Sequence, residues 1–401
     1  MFQYFCRVSR QLVYKFLFWI PALLLLEEAL RYAGRPGDFI GYVAAGEYAL
    51  HGKDLYSHWL NTWPPLFSVF CIPIYWLDSF SPFLARALWQ LGSLWAFYHT
   101  AKRILFLLFD KKLSFYLWQP LFLLPFLLSF KYLLDNLANI QINIFMLLLC
   151  VEAVYQLQTK KRPVLAALFM ALTLSLKVYT LFFFVWFILI RQWKMVLYTL
   201  VFCVLLTLPC FLVYGMDQTL LYFSHWWTEI AQAFPMIHHK NQSFFAAIWR
   251  LTVPVDAGLE IPTHLFHLSM DEAKKVVYLI VLLAGVYPAW LIWKKPEGEK
   301  NLLFAMPLFL ALIPLLSPLA WKAYFIFLSP ALFQLSSFYL DGLLSKWEKG
   351  VFWISCALLI LSSEIFIGPY LSDLAELFSL ITLGAIGIVF LSVYRLHRQY
   401  T

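Results

Sequence analysis

Charge is scarce in this sequence. Only 13% of the 401 residues are Asp, Glu, Lys or Arg, about half the share in an ordinary soluble domain, so a water-soluble globular protein is excluded. The six cysteines (Cys6, Cys71, Cys150, Cys203, Cys210 and Cys356) lie in or beside apolar runs with no C-x-x-C and no Cys/His ligand spacing. They argue for neither a disulfide framework nor a cysteine metal centre. The chain has no P-loop, no G-x-G-x-x-G, no H-E-x-x-H and no nucleophile-elbow serine. ATP-driven, dinucleotide, zinc-protease and lipase chemistry therefore has no support. Strand-rich stretches, a soluble domain and a usable internal repeat are also missing.

What is abundant is apolar surface: 62% of residues are hydrophobic, 19% are aromatic, and the mean hydropathy is +0.75. Runs of about 18 or more apolar residues recur, each long enough to cross a ~30 Å hydrocarbon core. The pattern predicts one all-α integral-membrane domain over residues 1–401, a polytopic transmembrane helical bundle of about 12 spans. We place them near 12–31, 83–109, 114–131, 140–157, 163–178, 179–190, 195–214, 274–293, 301–316, 321–340, 351–367 and 374–394. Basic residues precede the first run without a small-residue cleavage site, which predicts an uncleaved first helix.

Basic residues set the orientation. With the N-terminus inside, Arg7, Arg10, Lys15, Lys102, Arg103, Lys111, Lys112, Lys160, Lys161, Arg162, Arg191, Lys194, Lys294, Lys295, Lys300, Lys346, Lys349, Arg395 and Arg398 all fall in inner segments. This holds if the short apolar piece 66–79, which contains Pro73, is half-inserted or surface-lying. Both termini are then cytoplasmic. The net charge of +8 reads as this inner-loop excess rather than as a nucleic-acid surface. Two outer loops are long, 32–82 and 215–273, and long loops in compact proteins are usually functional.

The first loop holds the densest polar stretch of the first half, GRPGDFIGYVAAGEYALHGKDLYSHWLNTWPP from Gly34 to Pro65. Gly34, Pro36 and Gly37 end the preceding helix. Phe39, Tyr42, Val43, Tyr48 and Leu50 fit a short amphipathic helix lying on the membrane surface, with Asp38 at its N-cap or first turn. Asp38 offers a carboxylate that can take a proton from an attacking hydroxyl. It can also simply cap the helix, and the two roles are compatible. Glu47 and Asp54 are the competing acids; Glu47 lies on roughly the opposite side of that helix.

Lys177, in LTLSLKVYTLFFF, is costly among apolar residues. Either it binds a lipid-linked phosphate or it snorkels to the interface. Lys131 and Arg86 carry the same two readings. Gln141 and Asn143 would point about 200° apart on a helix, so one can face a cavity while the other bonds a neighbouring helix. Asn241-Gln242-Ser243 is a formal N-x-S acceptor, in a loop that also carries His225, His238 and His239. Those histidines lack a further ligand pattern, and no metal site is predicted. Glu27, Glu28, Glu152 and Glu364 sit near span ends, where interface placement is simpler than a proton relay.

DFIGYVAAGEYALHGKDLYSHWLNTWPPLFSVFCIPI resembles the first outer loop of the GT-C glycosyltransferases, in particular the polyprenyl-phosphate-mannose-dependent mannosyltransferase-like family DUF2029, glycosyltransferase family 87. The resemblance is carried by Asp38, Tyr42, Ala44, Ala45, Gly52, Tyr56, Pro64 and Pro65. It continues in order through Gln141 and Asn143, Lys177, Asn241-Gln242-Ser243, and Ser317-Pro318 with Trp321. Two positions depart from the family's pattern: Ile140 stands where relatives often have Gly, and Ala323, after Lys322, where they often have His.

The resemblance implies a GT-C type bundle with a juxtamembrane helix in the first outer loop, on the outer face of a membrane such as the bacterial inner membrane. It implies Asp38 as general base, and transfer of a hexose, mannose first, from a polyprenyl-phosphate donor to a glycolipid or glycan hydroxyl with inversion. Tyr42, Gln141, Asn143, Lys177, Asn241, Gln242, Trp321 and Lys322 become the expected substrate-binding set. Lys177 and then Lys322 are the candidates to meet the leaving phosphate. No cofactor and no metal are expected, and the partners are membrane lipids, the lipid-linked donor and the acceptor. Trp63, Trp226, Trp227 and Trp321 either stack on sugar faces or form an interfacial aromatic belt. The rivals are a lipid or solute transporter or flippase, which would usually show inverted repeats, and a non-catalytic assembly subunit.

Overall fold

The computed structural model describes residues 2–109, 117–230, 237–294 and 299–400, without the side chains of 2–10, 299–302 and 400. Lys111, Lys112 and Lys295, and the side chains of Arg7, Arg10 and Lys300, lie outside the described residues. Among the described residues the regular structure is helical and no strand occurs.

The chain opens with α1 (Phe2–Ala33), α2 (Phe39–His51), α3 (Pro65–Phe80) and α4 (Pro82–Phe109). α5 (Pro120–Ala138), α6 (Asn143–Gln158), α7 (Pro163–Leu176) and α8 (Leu181–Leu189) follow. Then come α9 (Trp193–Leu205), α10 (Leu208–Tyr214), α11 (Met216–His225) and α12 (Phe244–Thr252). The last third is α13 (Met270–Lys294), α14 (Glu299–Leu316), α15 (Ser329–Leu340), α16 (Lys346–Leu361), α17 (Glu364–Leu377) and α18 (Leu380–Tyr400). Proline begins α3, α5 and α7, where its missing N–H is an orphan in any case.

Five helical stretches are long and apolar enough to cross a membrane, or six if the bent pair α16–α17 counts as one span; the bend is 88°. The expected total of about twelve also counts shorter apolar helices, including α6, α7 and α14. Several boundaries differ from expectation; the span expected at 351–367, for example, crosses the bend between α16, which ends at Leu361, and α17, which begins at Glu364. The span expected at 114–131 is α5, which starts at Pro120 and continues to Ala138, so Lys131 and Asp135 lie on the helix itself. The span expected at 374–394 is split: α17 ends at Leu377, and α18 begins three residues later, past Ser379 in a left-handed conformation (φ 59°).

One large core joins α1, α4–α8, α14–α16 and α18, with Tyr132, Phe183, Trp186, Phe187, Phe325, Phe327 and Phe333 fully buried. The basic clusters meet in pairs at one end of these helices. Arg103 and Lys160 both lie over the Tyr155 ring, Arg191 lies over Trp293, and Arg395 pairs with Glu348 at 2.6 Å. At the opposite ends, α1 leads to Asp38, α5 ends at Asn139, α6 starts at Asn143 and α7 ends at Lys177. The bundle thus separates a basic end from an end rich in buried polar groups.

α2 packs on α3. It buries Phe39, Tyr42, Ala44, Ala45 and Ala49, whereas Leu50, expected on the same apolar face, is 39% exposed. The approach is close because Gly46 has no side chain: a Cβ there would lie 2.2 Å from the Cys71 carbonyl oxygen. Gly46→Ala is expected to force the two helices apart and to cost roughly 1–3 kcal/mol. The check is a lower thermal midpoint of the detergent-purified protein.

Candidate active site

Asp38 occupies the N-cap position of α2, yet its side chain accepts none of that helix's N–H groups. Its carboxylate instead accepts a hydrogen bond from Gln141 Nε2, and its backbone N–H donates to the Asn139 carbonyl at 3.2 Å. The acid is therefore tied to the α5–α6 turn. The competing acids have local partners: Glu47 pairs with Lys53 on the surface, and Asp54 accepts from the Tyr56 N–H at 3.3 Å.

The turn that carries Gln141 is strained. Ile140 is fully buried with φ 50°, a left-handed conformation that is an outlier for a β-branched residue. This is the position where the resembled pattern often has Gly, and the backbone here adopts the geometry glycine favours. Gln141 precedes α6 instead of lying on it, so the expected helical angle between Gln141 and Asn143 does not apply. Trp89 Nε1 donates to the Gln141 carbonyl at 3.4 Å and Gln90 Nε2 to the Leu137 carbonyl at 2.6 Å; both brace the turn.

Asn143 is fully buried and faces protein. It donates to Asn136 Oδ1 at 3.3 Å and accepts from the Tyr179 hydroxyl at 2.7 Å. Asn136 in turn donates to the Ala323 carbonyl at 2.8 Å. This chain of bonds fixes Tyr179, whose ring lies 5.5 Å from Lys177 Nζ; the Tyr324 ring lies 5.3 Å away on another element. Lys177 is buried, and its ammonium has no hydrogen bond or ion pair among the described residues. It lies close enough to Asp38 to act on its ionisation. Burial raises the Asp38 carboxyl above its usual 3.8, while the Lys177 charge and the Gln141 hydrogen bond pull it back down.

Lys177 borders a cavity of about 380 Å³, together with Thr62, Trp63, Tyr179, Trp226, Trp227 and Tyr324. Three of the four expected tryptophans thus share a wall with the lysine. Trp321 does not; it stands edge-on to His238 with ring centres 6.5 Å apart. Asp38 is not part of that wall either, but Tyr324 stands within electrostatic reach of it. Tyr42, on the buried face of α2, lies in a cage of Phe39, Trp63, Phe67 and Trp89, with centroids 5.1–5.8 Å from its own.

The remaining expected residues go elsewhere. Lys322 forms ion pairs with Glu376 and, at 3.4 Å, with Glu364. It lines a second cavity, about 680 Å³, with Lys131, Asp135 and Glu364, so it does not converge with Lys177. Asn241 and Gln242 are fully buried and bind protein. Asn241 Oδ1 accepts from Ser243 N and Ala320 N, and its Nδ2 donates to the Pro318 carbonyl at 3.0 Å. Gln242 Nε2 donates to the carbonyls of His239 and Glu376. This motif clamps the segment ahead of α12 onto the Ser317–Ala320 turn, which itself borders the Lys177 cavity.

Sequence reasoning missed Tyr179, Tyr324 and Asn136. The first two follow Lys177 and Trp321 closely enough to have been suspected; Asn136 joins the site only through its bonds to Asn143 and Ala323.

A family model described as glycosyltransferase family 87 matches residues 61–318, more than half of the chain. Gln141, Asn143, Lys177, Asn241 and Gln242 fall inside the match; Asp38, Tyr42, Trp321 and Lys322 fall outside it. No curated protein and no solved structure matches the chain.

Proposed function

The chain belongs to glycosyltransferase family 87, and from that premise we propose that it moves a hexose, mannose in our reading, from a polyprenyl phosphate to a hydroxyl of a glycolipid or glycan. The chain is a glycosyltransferase with apolar helices suited to a membrane. The donor, the inversion and the catalytic roles are our proposal, as are the GT-C arrangement of about twelve spans, the cytoplasmic termini and a site on the outer face of a bacterial inner membrane.

The observation that carries the reading is a half-buried carboxylate, Asp38, within electrostatic reach of a buried ammonium, Lys177, which has no ion pair among the described residues and borders an aromatic cavity. In the proposed step the acceptor hydroxyl gives its proton to Asp38 as its oxygen attacks the anomeric carbon. The bond from that carbon to the phosphate oxygen breaks, and the polyprenyl phosphate leaves with the electron pair. Lys177 meets the charge that develops on the leaving oxygen, in a site where burial strengthens the interaction. Attack opposite the leaving group inverts the anomeric configuration. Trp63, Trp226 and Trp227 offer faces for the sugar or the first isoprene units. Asn143, Asn241 and Gln242 act as positioning residues in this scheme, and Tyr42 supports α2. Lys322, in its separate cavity, is left for the acceptor side.

The test is transfer of radiolabelled sugar from polyprenyl-phosphate-mannose in proteoliposomes. A covalently labelled glycolipid or glycan supports the reading; flux of the donor with no covalent product would end it. Membership of a transferase family already weighs against a transporter or flippase.

A pH dependence follows. A carboxylate base works only when ionised, so activity falls as pH drops through its pKa. Burial raises that pKa, so the acid limb of kcat/KM is expected above the usual 3.8 of an aspartate. Gln141 favours the ionised form by its hydrogen bond. Gln141→Leu is therefore expected to shift the acid limb to still higher pH, and a pH–rate profile of the variant checks it. An unshifted limb would show that the titrating group is not Asp38.

A further inference from the structure

His239 has a hydrogen-bonding arrangement that Asp38 and Lys177 do not explain. The imidazole is 4% exposed. Its Nδ1 lies 3.0 Å from the Ala257 carbonyl oxygen, and a carbonyl only accepts, so Nδ1 carries the proton. Nε2 then presents its lone pair, and it is buried without a hydrogen-bond partner among the described residues. It faces carboxylates instead of donors: Asp373 Oδ1 is 3.7 Å away, and one ligand atom each from His239, Asp373 and Glu376 lie within 4.8 Å of one another. Glu376 is fully buried. Its carboxylate contacts Lys322 through Oε1, and among the described residues Oε2 has no hydrogen-bond partner.

A lone pair facing two carboxylates calls for a positive centre between them. We propose that His239, Asp373 and Glu376 bind a divalent first-row metal, zinc first, which fastens the loop ahead of α12 to α17. Imidazole nitrogen with carboxylate oxygen is a donor set suited to zinc. A metal-ligating histidine typically gives its other N–H to a carbonyl or carboxylate, which fixes the ring, and Ala257 supplies that carbonyl. The surroundings keep the ring in place. His238 stacks on it at 4.3 Å, and Gly258, with φ +85°, lies so close that a Cβ would come within 3.3 Å of His239 Nδ1.

Neighbouring charge does not forbid the ion. Lys322 engages one oxygen of Glu376, while Arg250 is directed at the carbonyls of His238 and Asn241 and at Ser379 Oγ. Against Lys131, Arg250 and Lys322 stand Asp135, Glu364, Asp373 and Glu376. Asp373 is the exposed member, with its side chain 32% accessible, and gives the ion a way in. The proposed site lies outside the wall of the Lys177 cavity, so the metal is a clamp on the second outer loop.

The experiment uses the full chain in detergent, stripped with chelator, desalted, and titrated with zinc chloride. Bound metal is measured by mass spectrometry and thermal stability by melting, and cobalt(II) is substituted as a spectroscopic probe. The expected result is a single equivalent of zinc per chain, a raised melting temperature, and visible absorption from cobalt held by nitrogen and oxygen ligands. Asp373→Asn should weaken zinc binding at least about tenfold, and His239→Gln should abolish it. Substoichiometric zinc, or binding and stabilisation unchanged in Asp373→Asn, overturns the proposal. Should His239→Gln not fold, Asp373→Asn at its half-exposed position still decides.

Discussion

Asp38→Asn is expected to lower sugar transfer by about 10²–10⁴-fold, the usual contribution of a general base, while the protein purifies and melts as the parent does. Asn keeps the shape of the side chain and can still meet Gln141, which needs only an oxygen to accept its N–H. The carboxylate is not used as a helix cap, so α2 loses no capping bond. What disappears is the capacity to accept a proton. The measurement is the initial rate of labelled product formation in proteoliposomes at saturating donor and acceptor. Near-normal activity would remove Asp38 from the mechanism, and the membership of the family would stand, since the matched residues begin at 61.

The second large effect belongs to Lys177. Lys177→Met keeps an unbranched chain of similar length against the rings of Tyr179 and Tyr324 and removes only the charge. Loss of one preorganised group that meets developing negative charge costs about 10²–10³ in kcat. The rate loss should therefore appear in kcat as well as in the donor KM. A second signature separates this role from simple packing. The Lys177 ammonium favours the ionised form of Asp38, so its removal should shift the acid limb of the profile to higher pH, in the same direction as Gln141→Leu. A variant with normal kcat, or with an unmoved acid limb, would leave Lys177 as a structural cation only.

Much of this was readable from isolated residues. A lysine in LTLSLKVYTLFFF and an aspartate after Arg-Pro-Gly stand out because charge in an apolar chain is costly wherever it occurs. The end of the first helix at Gly34, Pro36 and Gly37 was legible for an equally local reason, and α1 stops at Ala33. The same reasoning failed where conformation was assumed. Gln141 and Asn143 were treated as two positions on one helix, but the left-handed Ile140 puts Gln141 in the turn before it. Lys322 was named beside Lys177 as a second candidate to meet the leaving phosphate, and the structure gives it to a different cavity and to Glu376. Asn241 and Gln242 had the composition of a ligand site; their polar atoms bind the Pro318–Ala320 turn, His239 and Glu376 instead.

The amino-acid sequence by itself determined that this chain is an apolar helical membrane protein, which of its few charges are out of place, and the family it resembles. Those properties are sums over single residues or short spacings, and hydration and backbone costs act on each residue separately. Only the tertiary structure decided which of the misplaced charges meet. It brings Asp38 to Gln141 and Lys177, gives Lys322 to Glu376, and sets His239 opposite Asp373 and Glu376. Each meeting depends on how helices far apart in the chain pack, and packing is a property of the whole bundle.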